Sequence, residues 1–303
     1  MELRQLKTFR TVATLNSFNQ AANVLNYAQS TVSEQIKMLE QDLNVRLFKR
    51  AGKHIILTEA GELLLEYAQK MLDIEEEIKA EISDREEVHG ALSIRVPETV
   101  SIYYLPSVLQ QFHQRFPKVR VNIDNCTYSG LPQELQSGIT NLAFLLIPGA
   151  LRLPQVEAEI LRKIPLVVVA HPDHPLTSQR HVGFQDLKNE LILLAKTDCS
   201  YRSMFEQSLA KELVESAVLF NFNSIEALKQ CALAGTGITV ISEIAVQKEI
   251  AEGRLVVLPW KGKKIYVNLF MIWQKNKWLS PTLKAFMDMV REHVSASSAN
   301  DKD

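Results

Sequence analysis

The segment AQSTVSEQIKMLEQDL, residues 28–43, predicts a helix with two different faces. At helical spacing its apolar side chains form one narrow stripe, which consists of Val32, Ile36, Leu39 and Leu43. The opposite face carries Ser30, Glu34, Lys37 and Gln41, with Thr31 and Ser33 beside them. Small hydroxyls, an amide and a cation near a helix N-terminus suit base edges and phosphates, which makes the segment a candidate DNA recognition helix. Because polar helix faces are commonly just solvated, the segment alone leaves both interpretations open.

The flanking sequence favours the DNA interpretation. A first helix is predicted from about Glu2 to Leu15, and Ser17-Phe18-Asn19-Gln20 has the pattern of a capping box that opens a second helix. The turn Asn26-Tyr27-Ala28 leads directly into the candidate recognition helix, which is the order of a helix-turn-helix. Residues 45–57 then predict two short strands around a basic, glycine-containing turn, which together form a wing. The candidate phosphate contacts of this wing are Arg50 and Lys53.

The composition is that of a multidomain globular protein with an uneven charge distribution. At 303 residues the chain has room for two or more domains, each with its own core. The net charge is only −1, but a basic cluster at the front of the chain favours a nucleic-acid partner there. This cluster consists of Arg4, Lys7, Arg10, Lys37, Arg46, Lys49, Arg50 and Lys53. The cysteines form no CxxC pair, so neither a disulfide framework nor a zinc site is predicted. With no apolar run that would span a membrane and no signal peptide, the expected location is the cytosol.

Residues 59–89 predict a long dimerisation helix. Thr58 is its candidate cap, and apolar residues then recur at alternating three- and four-residue steps, as in a short coiled-coil seam. The seam consists of Leu64, Tyr67, Met71, Ile74 and Ile78. Two copies of the seam would pair and place two recognition helices across a two-fold axis, so the DNA site is expected to be an interrupted inverted repeat. Gly90 is the expected helix stop and domain boundary.

From Gly90 onward short β-rich runs alternate with helical stretches, which predicts an α/β unit with largely parallel sheets. The expected strands are Leu92–Val96, Val119–Ile123, Leu142–Leu146, Leu166–Ala170, Leu191–Ala195, Val218–Phe222, Ile238–Ile241 and Tyr266–Trp273. The strands separate into two groups, with the chain crossing near Leu161–Pro165 and returning near Lys261–Tyr266. Two crossings imply two lobes with a cleft between them, the layout of periplasmic solute-binding proteins.

Three segments of this unit lie where open sheets bind ligands, beyond the carboxyl ends of strands and against helix N-termini. Their candidate ligand-binding residues are Glu98, Thr99 and Ser101, then Thr127 and Ser129, then Cys199, Ser200 and Arg202. An arginine in a first helical turn favours a small anion, such as a carboxylate metabolite. The alternative is that Ser200 only caps the helix and Arg202 pairs with Glu206. Cys199 is either a reactive thiol that could pair with Cys126 or a small polar residue lining the pocket.

Two weaker patterns are given structural interpretations. His171 and His174 lie among prolines, so a loop is predicted there rather than a metal site. Gly235-Thr236-Gly237 is too short for a dinucleotide fingerprint and predicts a tight helix-to-strand turn.

The run SFNQAANVLNYAQSTVSEQIKMLEQDLNVRLFKR, followed by LTEAG, closely resembles the winged helix-turn-helix of LysR-type transcriptional regulators, and the resemblance extends over nearly the whole chain. It implies that the residues facing DNA are Gln29, Ser30, Thr31, Ser33 and Lys37, with Arg50 on the wing. It also implies that the three cleft segments and Asn223 bind a small-molecule effector, that homodimers pair into homotetramers, and that the protein contacts RNA polymerase. Ala28 stands where the family usually has Ser, so a helix cap is either missing or supplied by Asn26. Glu34 either accepts from a cytosine amino group or points past the groove.

These features together predict an α+β multidomain protein. Residues 1–58 form a winged helix-turn-helix domain, 59–89 a linker helix, and 90–294 a two-lobed, periplasmic-binding-protein-like effector domain. Lobe I covers about 90–161 and 267–294, lobe II covers about 162–266, and residues 295–303 are expected to be disordered. The resemblance implies a cytoplasmic, nucleoid-associated regulator that binds double-stranded DNA in promoters and responds to an anionic effector. No catalytic residue, metal site or cofactor is predicted, and an α/β enzyme with a DNA-binding appendage is the alternative from another class.

Overall fold

The computed structural model describes residues 1–51, 54–82, 90–126, 130–195, 200–211, 218–261 and 264–296. Its N-terminal unit contains α1 (Leu3–Leu15), α2 (Phe18–Leu25), α3 (Gln29–Leu43) and the antiparallel hairpin of β1 (Phe48–Ala51) and β2 (His54–Leu57). The apolar faces of the helices meet in a core that includes Phe9, Val32 and Leu39. Ala21 and Ala22 are buried on α2, where their small side chains let the helices approach closely. The predicted helix-turn-helix and wing are confirmed.

Each of these helices ends at an asparagine in the left-handed conformation, which reverses the chain within a short turn. The φ angles are +47° at Asn16, +54° at Asn26 and +51° at Asn44. Asparagine tolerates this region because its short polar side chain can hydrogen-bond locally. One half of the predicted capping box is present, since the Ser17 Oγ accepts from the backbone N–H of Gln20 at 3.3 Å, and the reciprocal bond to the Gln20 side chain is not found among the described residues. Ala28 makes no side-chain bond at the start of α3, and Asn26 instead ends α2, so the suggestion that Asn26 supplies the missing cap is wrong.

The linker helix α4 (Glu59–Ile82) begins as predicted after Thr58, whose Oγ1 accepts from the N–H of Gly61 at 3.1 Å. No side chain fits at Gly61, because an added Cβ would lie 2.3 Å from the carbonyl oxygen of Leu47. One side of α4 packs against the N-terminal core through Ala68 and Leu64. The remaining members of the predicted seam are exposed, namely Tyr67, Met71, Ile74 and Ile78.

The C-terminal unit is built on one mixed sheet, which corrects the expectation of largely parallel sheets. Its strands are β3 (Gly90–Val96), β4 (Val119–Asn125), β5 (Leu142–Ile147), β6 (Val156–Ala170), β7 (Leu191–Ala195), β8 (Val218–Phe222), β9 (Ile238–Ser242), β10 (Val256–Val257) and β11 (Ile265–Gln274). In the described part of the chain they lie in the order β4-β3-β5-β11-β6-β9-β7-β8, with β10 paired to β6. The outer pairs are parallel, but β11 is antiparallel to β5 and β6, and β6 is antiparallel to β9.

The antiparallel centre follows from the way the chain passes between the two ends of the sheet. The predicted crossing at Leu161–Pro165 lies inside β6, which is one continuous strand. β11 returns beside it, and two strands that cross in opposite directions pair antiparallel. Their register shifts at a bulge between Leu269 and Phe270. The end with β3, β4 and β5 forms lobe I, and the end with β7, β8 and β9 forms lobe II.

Helices cover the sheet and follow the carboxyl ends of its strands. They are α5 (Glu98–Tyr103), α6 (Leu105–Arg115), α7 (Leu131–Gln136), α8 (Ser200–Lys211), α9 (Ile225–Leu233), α10 (Glu243–Ala251) and α11 (Pro281–Ala296). The rings of Phe112 on α6 and Phe286 on α11 meet edge to face at 5.1 Å between centroids, which fastens the last helix to lobe I. α11 continues two residues into the tail that was expected to be disordered, and residues 297–303 lie outside the described residues. None of the described helices is both long enough and apolar enough to cross a membrane.

The two units meet at the turn after α7. Gly138 in this turn has a φ of +71°, and a Cβ added there would lie 3.1 Å from Gln69 Nε2 and 3.2 Å from Arg10 Nη1. Arg10 also donates to Gln69 Oε1 at 3.4 Å. Arg10 belongs to the basic cluster that favoured a nucleic-acid partner, but the fold turns it toward the C-terminal unit.

Candidate functional sites

The polar face of α3 is presented to solvent. Gln29, Ser30 and Lys37 are exposed and Ser33 is half-buried, and helical geometry places these residues on one side of α3. Gln29 Nε2 donates to Ser33 Oγ at 3.0 Å, so each side chain restrains the other one turn away. Thr31 is also half-buried but lies around the helix from this group, beside the apolar stripe. The surface can therefore offer an amide, two hydroxyls and a cation to a polar partner.

A buried hydrogen bond fixes α3 against α1. The Oγ1 of Thr8 donates to Oε1 of Gln35 at 2.6 Å, and both residues are buried. An apolar contact alone would leave the rotation of α3 to packing, whereas this bond requires one angle about the helix axis. The pair was not predicted from the sequence. The available signal was a polar residue, Gln35, on the core side of an otherwise apolar stripe.

A second tie joins the end of α3 to the wing. Glu40 accepts from the backbone N–H of Leu47 at 2.8 Å and pairs with Arg46, with 2.9 Å between Nη1 and Oε2. The Glu40 carboxylate thus fixes the backbone just before β1 and partly neutralises Arg46, a member of the basic cluster. Nothing in the sequence pattern around Glu40 specifies partners that come from the backbone of another element.

The predicted wing contacts can be located only in part. β1 and β2 pair in register from Phe48 with Leu57 to Ala51 with His54, so the hairpin is present. Lys53 and the Arg50 side chain lie outside the described residues. Within the described part of the chain Lys37 has no ion-pair partner, so its charge is available to a ligand.

At the other site, the residues that follow the carboxyl ends of β3 and β8 contact each other. Glu98 follows β3, and Ser224 caps α9 after β8 by accepting from the N–H of Ala227 at 3.2 Å. The Ser224 hydroxyl donates to Glu98 Oε1 at 2.9 Å, and the N–H of Ile225 donates to Glu98 Oε2 at 2.8 Å. The Glu98 carboxylate of lobe I therefore lies at the N-terminus of a lobe II helix, where the helix dipole favours negative charge.

A partly buried polar cluster centred on the buried Lys229 lies beside this contact. The Tyr103 hydroxyl of α5 donates to the carbonyl of Ala245 at 3.2 Å and accepts from Lys229 Nζ at 3.3 Å. Lys229 also pairs with Glu226 at 3.0 Å and Glu249 at 3.1 Å. Burial by itself lowers the pKa of Lys229, but its hydrogen bonds to both carboxylates and to Tyr103 outweigh this and raise that pKa above its ordinary value. Burial raises the pKa of the Tyr103 hydroxyl, against the opposing effect of Lys229.

The other predicted effector residues differ in how accessible they are to a ligand. Thr99 is only 2% exposed, so the structure offers almost no Thr99 surface to a ligand, because the first turn of α5 packs into the lobe I core. Arg202 donates to Glu206 from Nε at 3.0 Å and from Nη2 at 2.8 Å, and from Nη1 to the carbonyl of Ala195. The pairing with Glu206 is the one that the alternative interpretation of Arg202 gave, and an effector contact of Arg202 stays a prediction. Ser101 is half-buried and Asn223 is exposed. Thr127, Ser129, Cys199 and the Ser200 side chain lie outside the described residues.

The remaining features are structural. No group of three or more His, Cys, Asp or Glu residues placed to hold a metal occurs among the described residues. His171 and His174 lie in a loop as predicted, with His174 Nδ1 accepting from the N–H of Leu176 at 3.3 Å. Gly235 makes the predicted tight turn with a φ of +72°, and Gly237 approaches the backbone of β7 too closely for a side chain. A cavity of about 370 Å³ at the start of β6 is lined by Leu151, Arg152, Leu153, Pro154, Val156 and Ala158.

Comparison with known proteins identifies both units. Residues 3–62 match the model of bacterial regulatory helix-turn-helix proteins of the lysR family, and residues 85–295 match the LysR substrate binding domain. The chain is 38% identical over 294 residues to the HTH-type transcriptional regulator YwqM of Bacillus subtilis, a match that covers 96% of this chain and 99% of the relative. Among solved structures, a full-length OxyR variant from Pseudomonas aeruginosa is 21% identical with a TM-score of 0.69 over 97% of this chain and 94% of that chain. Full-length CbnR in complex with its target DNA is 24% identical with a TM-score of 0.51, covering 97% of this chain and 100% of that chain.

Proposed function

We propose a division of labour for this chain, which belongs to the LysR family of bacterial helix-turn-helix regulators and is a DNA-binding transcriptional regulator with an effector-binding domain. The N-terminal unit, residues 1–58, reads a promoter site, and the linker helix, residues 59–89, pairs two chains. The two-lobed unit, residues 90–294, changes their arrangement when a small molecule enters its cleft. The observation that carries the DNA assignment is the exposed polar face of α3, where Gln29 and Ser33 are bonded to each other on the same side as Lys37.

Lys37 provides the direct test of this face. In a binding assay on DNA upstream of the protein's own gene, Lys37→Met is expected to weaken binding. A base contact would cost about 1–3 kcal/mol for the specific site, whereas a phosphate contact would weaken all sequences and reduce the salt slope by about 1. Lys248→Met is the matched control, because Lys248 is an exposed lysine of α10. If both variants bound the DNA with the affinity of the wild type, the result would contradict the proposal that this face of α3 contacts DNA.

Glu34 is exposed on α3, and both interpretations of it remain open. If it accepts from a cytosine amino group, Glu34→Ala changes the consensus obtained by binding-site selection. If it points past the groove, the consensus is unchanged, and affinity rises slightly because a charge repelled by phosphate has been removed.

We infer that α4 pairs two chains through the exposed apolar seam of Tyr67, Met71, Ile74 and Ile78. Dimers of this kind, joined in turn into tetramers, would read an interrupted inverted repeat. Ile74→Asp is expected to lower the oligomeric state in sedimentation and to weaken operator binding together with it. Ile160→Asp is the matched control, because Ile160 is exposed to a similar extent, 56% against 53%, but lies on β6. Unchanged assembly in Ile74→Asp would refute the seam.

The effector is proposed to bind between the lobes, near Glu98, Ser101 and Asn223. The N-terminus of α9 supports an acidic effector, because the N–H of Ile225 in its first turn already bonds one carboxylate, that of Glu98. An effector carboxylate could use the same donor. Footprinting of the upstream DNA with a panel of carboxylic acids and their uncharged amides tests this. A change of footprint with an acid but not with its amide is expected, and a response only to amides or amines would refute an anionic effector.

Regulation rather than catalysis is the function we infer, because the named relatives are transcriptional regulators. The partners proposed with it are promoter DNA and RNA polymerase in the cytoplasm, at the nucleoid. Activation or repression would then depend on where the site lies relative to the promoter.

A further inference from the structure

We propose that Glu98 and Tyr103 of α5 form a latch that holds the two lobes together in the effector-free protein, and that effector binding opens it at Glu98. The latch rests on the proposed effector site, since it concerns what the cleft does before an effector arrives. Its two contacts both begin on the short helix that follows β3 and end on lobe II, at α9 and α10.

The latch joins parts of the chain that are remote in sequence and in the sheet. Glu98 and Ile225 are 127 positions apart, and Tyr103 and Ala245 are 142 apart. β3 and β8, the strands that lead into α5 and α9, lie near opposite ends of the strand order. The central strands connect the lobes through the sheet, and α8 of lobe II also contacts β5 of lobe I. The contacts between α5 and lobe II add a polar connection to these.

The two contacts differ in how easily they can be exchanged. Tyr103 packs against the lobe II core and meets Lys229, which Glu226 and Glu249 hold in place within lobe II. The Tyr103 ring makes apolar contacts and its hydroxyl makes polar ones, so this contact is expected to stay in place when the Glu98 contact is broken. Glu98 is half-buried, and its partners are a hydroxyl and a helix N–H that any other acceptor could use. Glu98 is therefore the releasable half of the latch.

Opening follows from competition for the same donors. A ligand acceptor that bonds the Ser224 hydroxyl or the Ile225 N–H takes a bond from Glu98, and a ligand donor that bonds Glu98 takes the carboxylate from lobe II. Either exchange removes a link between the lobes, so a ligand that binds there has different affinities for the closed and open arrangements. By linkage, anything that weakens the latch also increases the apparent affinity of such a ligand.

Amide hydrogen exchange at Ile225 in the full-length, effector-free protein tests the latch directly, because this N–H bonds Glu98. Glu98→Ala is expected to raise the exchange rate of the Ile225 amide at least about tenfold. The rate in Glu98→Gln should lie between those of Glu98→Ala and the wild type, because the glutamine amide keeps an acceptor oxygen. The matched control is Glu243→Gln, an exposed first-turn carboxylate of α10, and its rate at Ile225 is expected to equal that of the wild type.

A footprint on the upstream DNA, without any added metabolite, gives the functional readout. Glu98→Ala is expected to alter the protected region or to change the affinity at least threefold, while Glu243→Gln protects the same bases as the wild type. Ile225 exchange within twofold of the wild type in Glu98→Ala would overturn the latch, as would faster exchange with an unchanged footprint and affinity. Failure of the wild type to protect any DNA would contradict the proposed function instead, and the exchange experiment would still decide whether the latch exists.

Discussion

Replacing Thr8 by valine tests whether one buried hydrogen bond holds the recognition helix in place. The substitution keeps the shape of the side chain but removes the donor that lies 2.6 Å from Gln35 Oε1. A buried acceptor left without its donor costs about 1–3 kcal/mol, and the added methyl recovers part of this, so a loss of about 1–2 kcal/mol is expected. Thr14→Val is the matched control, because within the described part of the chain the Thr14 hydroxyl bonds only the carbonyl of Arg10 one turn back on its own helix.

The double variant with Gln35→Leu makes the test specific. Two apolar residues in place of a buried polar pair are close to neutral, so the double variant should be more stable than Thr8→Val alone by about 1 kcal/mol. In Gln35→Leu alone, the Thr8 hydroxyl can turn to its own helix, as the Thr11 hydroxyl does toward Lys7 at 2.8 Å, so that variant should cost less than Thr8→Val.

The measurement must follow the N-terminal unit by itself. All three tryptophans lie in the C-terminal unit, so their fluorescence reports the wrong unfolding step. Amide exchange along α3 reports the stability of the N-terminal unit, and operator affinity is expected to fall in parallel because α3 is no longer held at one angle. A cost for Thr8→Val no larger than that for Thr14→Val, or additive single and double variants, would show that packing alone positions the helix.

Three further predictions concern other parts of the molecule. Gly61→Ala should destabilise the N-terminal unit by about 2 kcal/mol or more in the same exchange assay, because its Cβ would lie 2.3 Å from the carbonyl oxygen of Leu47. In the C-terminal unit, the Cβ of Gly183→Ala would lie at an ordinary contact distance of 3.8 Å from Asp186 Oδ2, so tryptophan fluorescence should show that this variant is near neutral. Ala28→Ser should stabilise that unit by about 1 kcal/mol by supplying the cap that α3 lacks, and no gain would mean that solvent already satisfies the helix end. Lys229→Met should destabilise the C-terminal unit at neutral pH by about 2 kcal/mol, followed by tryptophan fluorescence in urea. Because the folded-state pKa of Lys229 is raised, its contribution to the free energy of unfolding is complete below the unfolded-state pKa of about 10.4 and falls as pH rises above it. The difference in stability between Lys229→Met and the wild type should therefore shrink in that alkaline range. A difference that grows with pH would contradict the stabilising role of the charged Lys229.

Local patterns predicted the N-terminal unit well. The helix spans, the cap at Ser17, the start of α4 at Thr58 and the exposed face of α3 all depend on side chains within a few residues of each other. Such signals are contained in short windows of sequence, because capping and amphipathic spacing act over one or two turns. The missing cap at Ala28 was anticipated for the same reason, while its suggested replacement by Asn26 failed because that residue was needed to end α2.

The C-terminal unit was predicted in outline but not in detail. The two groups of strands and the places where the chain crosses between them could be located from β-rich runs. Their mixed pairing could not, since the direction of a strand depends on where the chain has come from rather than on its own residues. Within the cleft segments, by contrast, the pairing of Arg202 with Glu206 one turn away could be stated as an alternative, because that pair lies within a short window of sequence.

What the sequence determined by itself, then, is the set of local elements and the family to which their order belongs. The tertiary structure alone decided which polar groups meet: Thr8 with Gln35 beneath the recognition helix, and Glu98 with Ser224 between the lobes. The physical reason is distance along the chain. These pairs are 27 and 126 positions apart, and a hydrogen bond between them forms only after the apolar cores have brought their elements together, so no local pattern records it. The segment at residues 28–43 shows both sides of this division, because its polar face could be predicted from spacing, whereas the bond that orients that face comes from another helix.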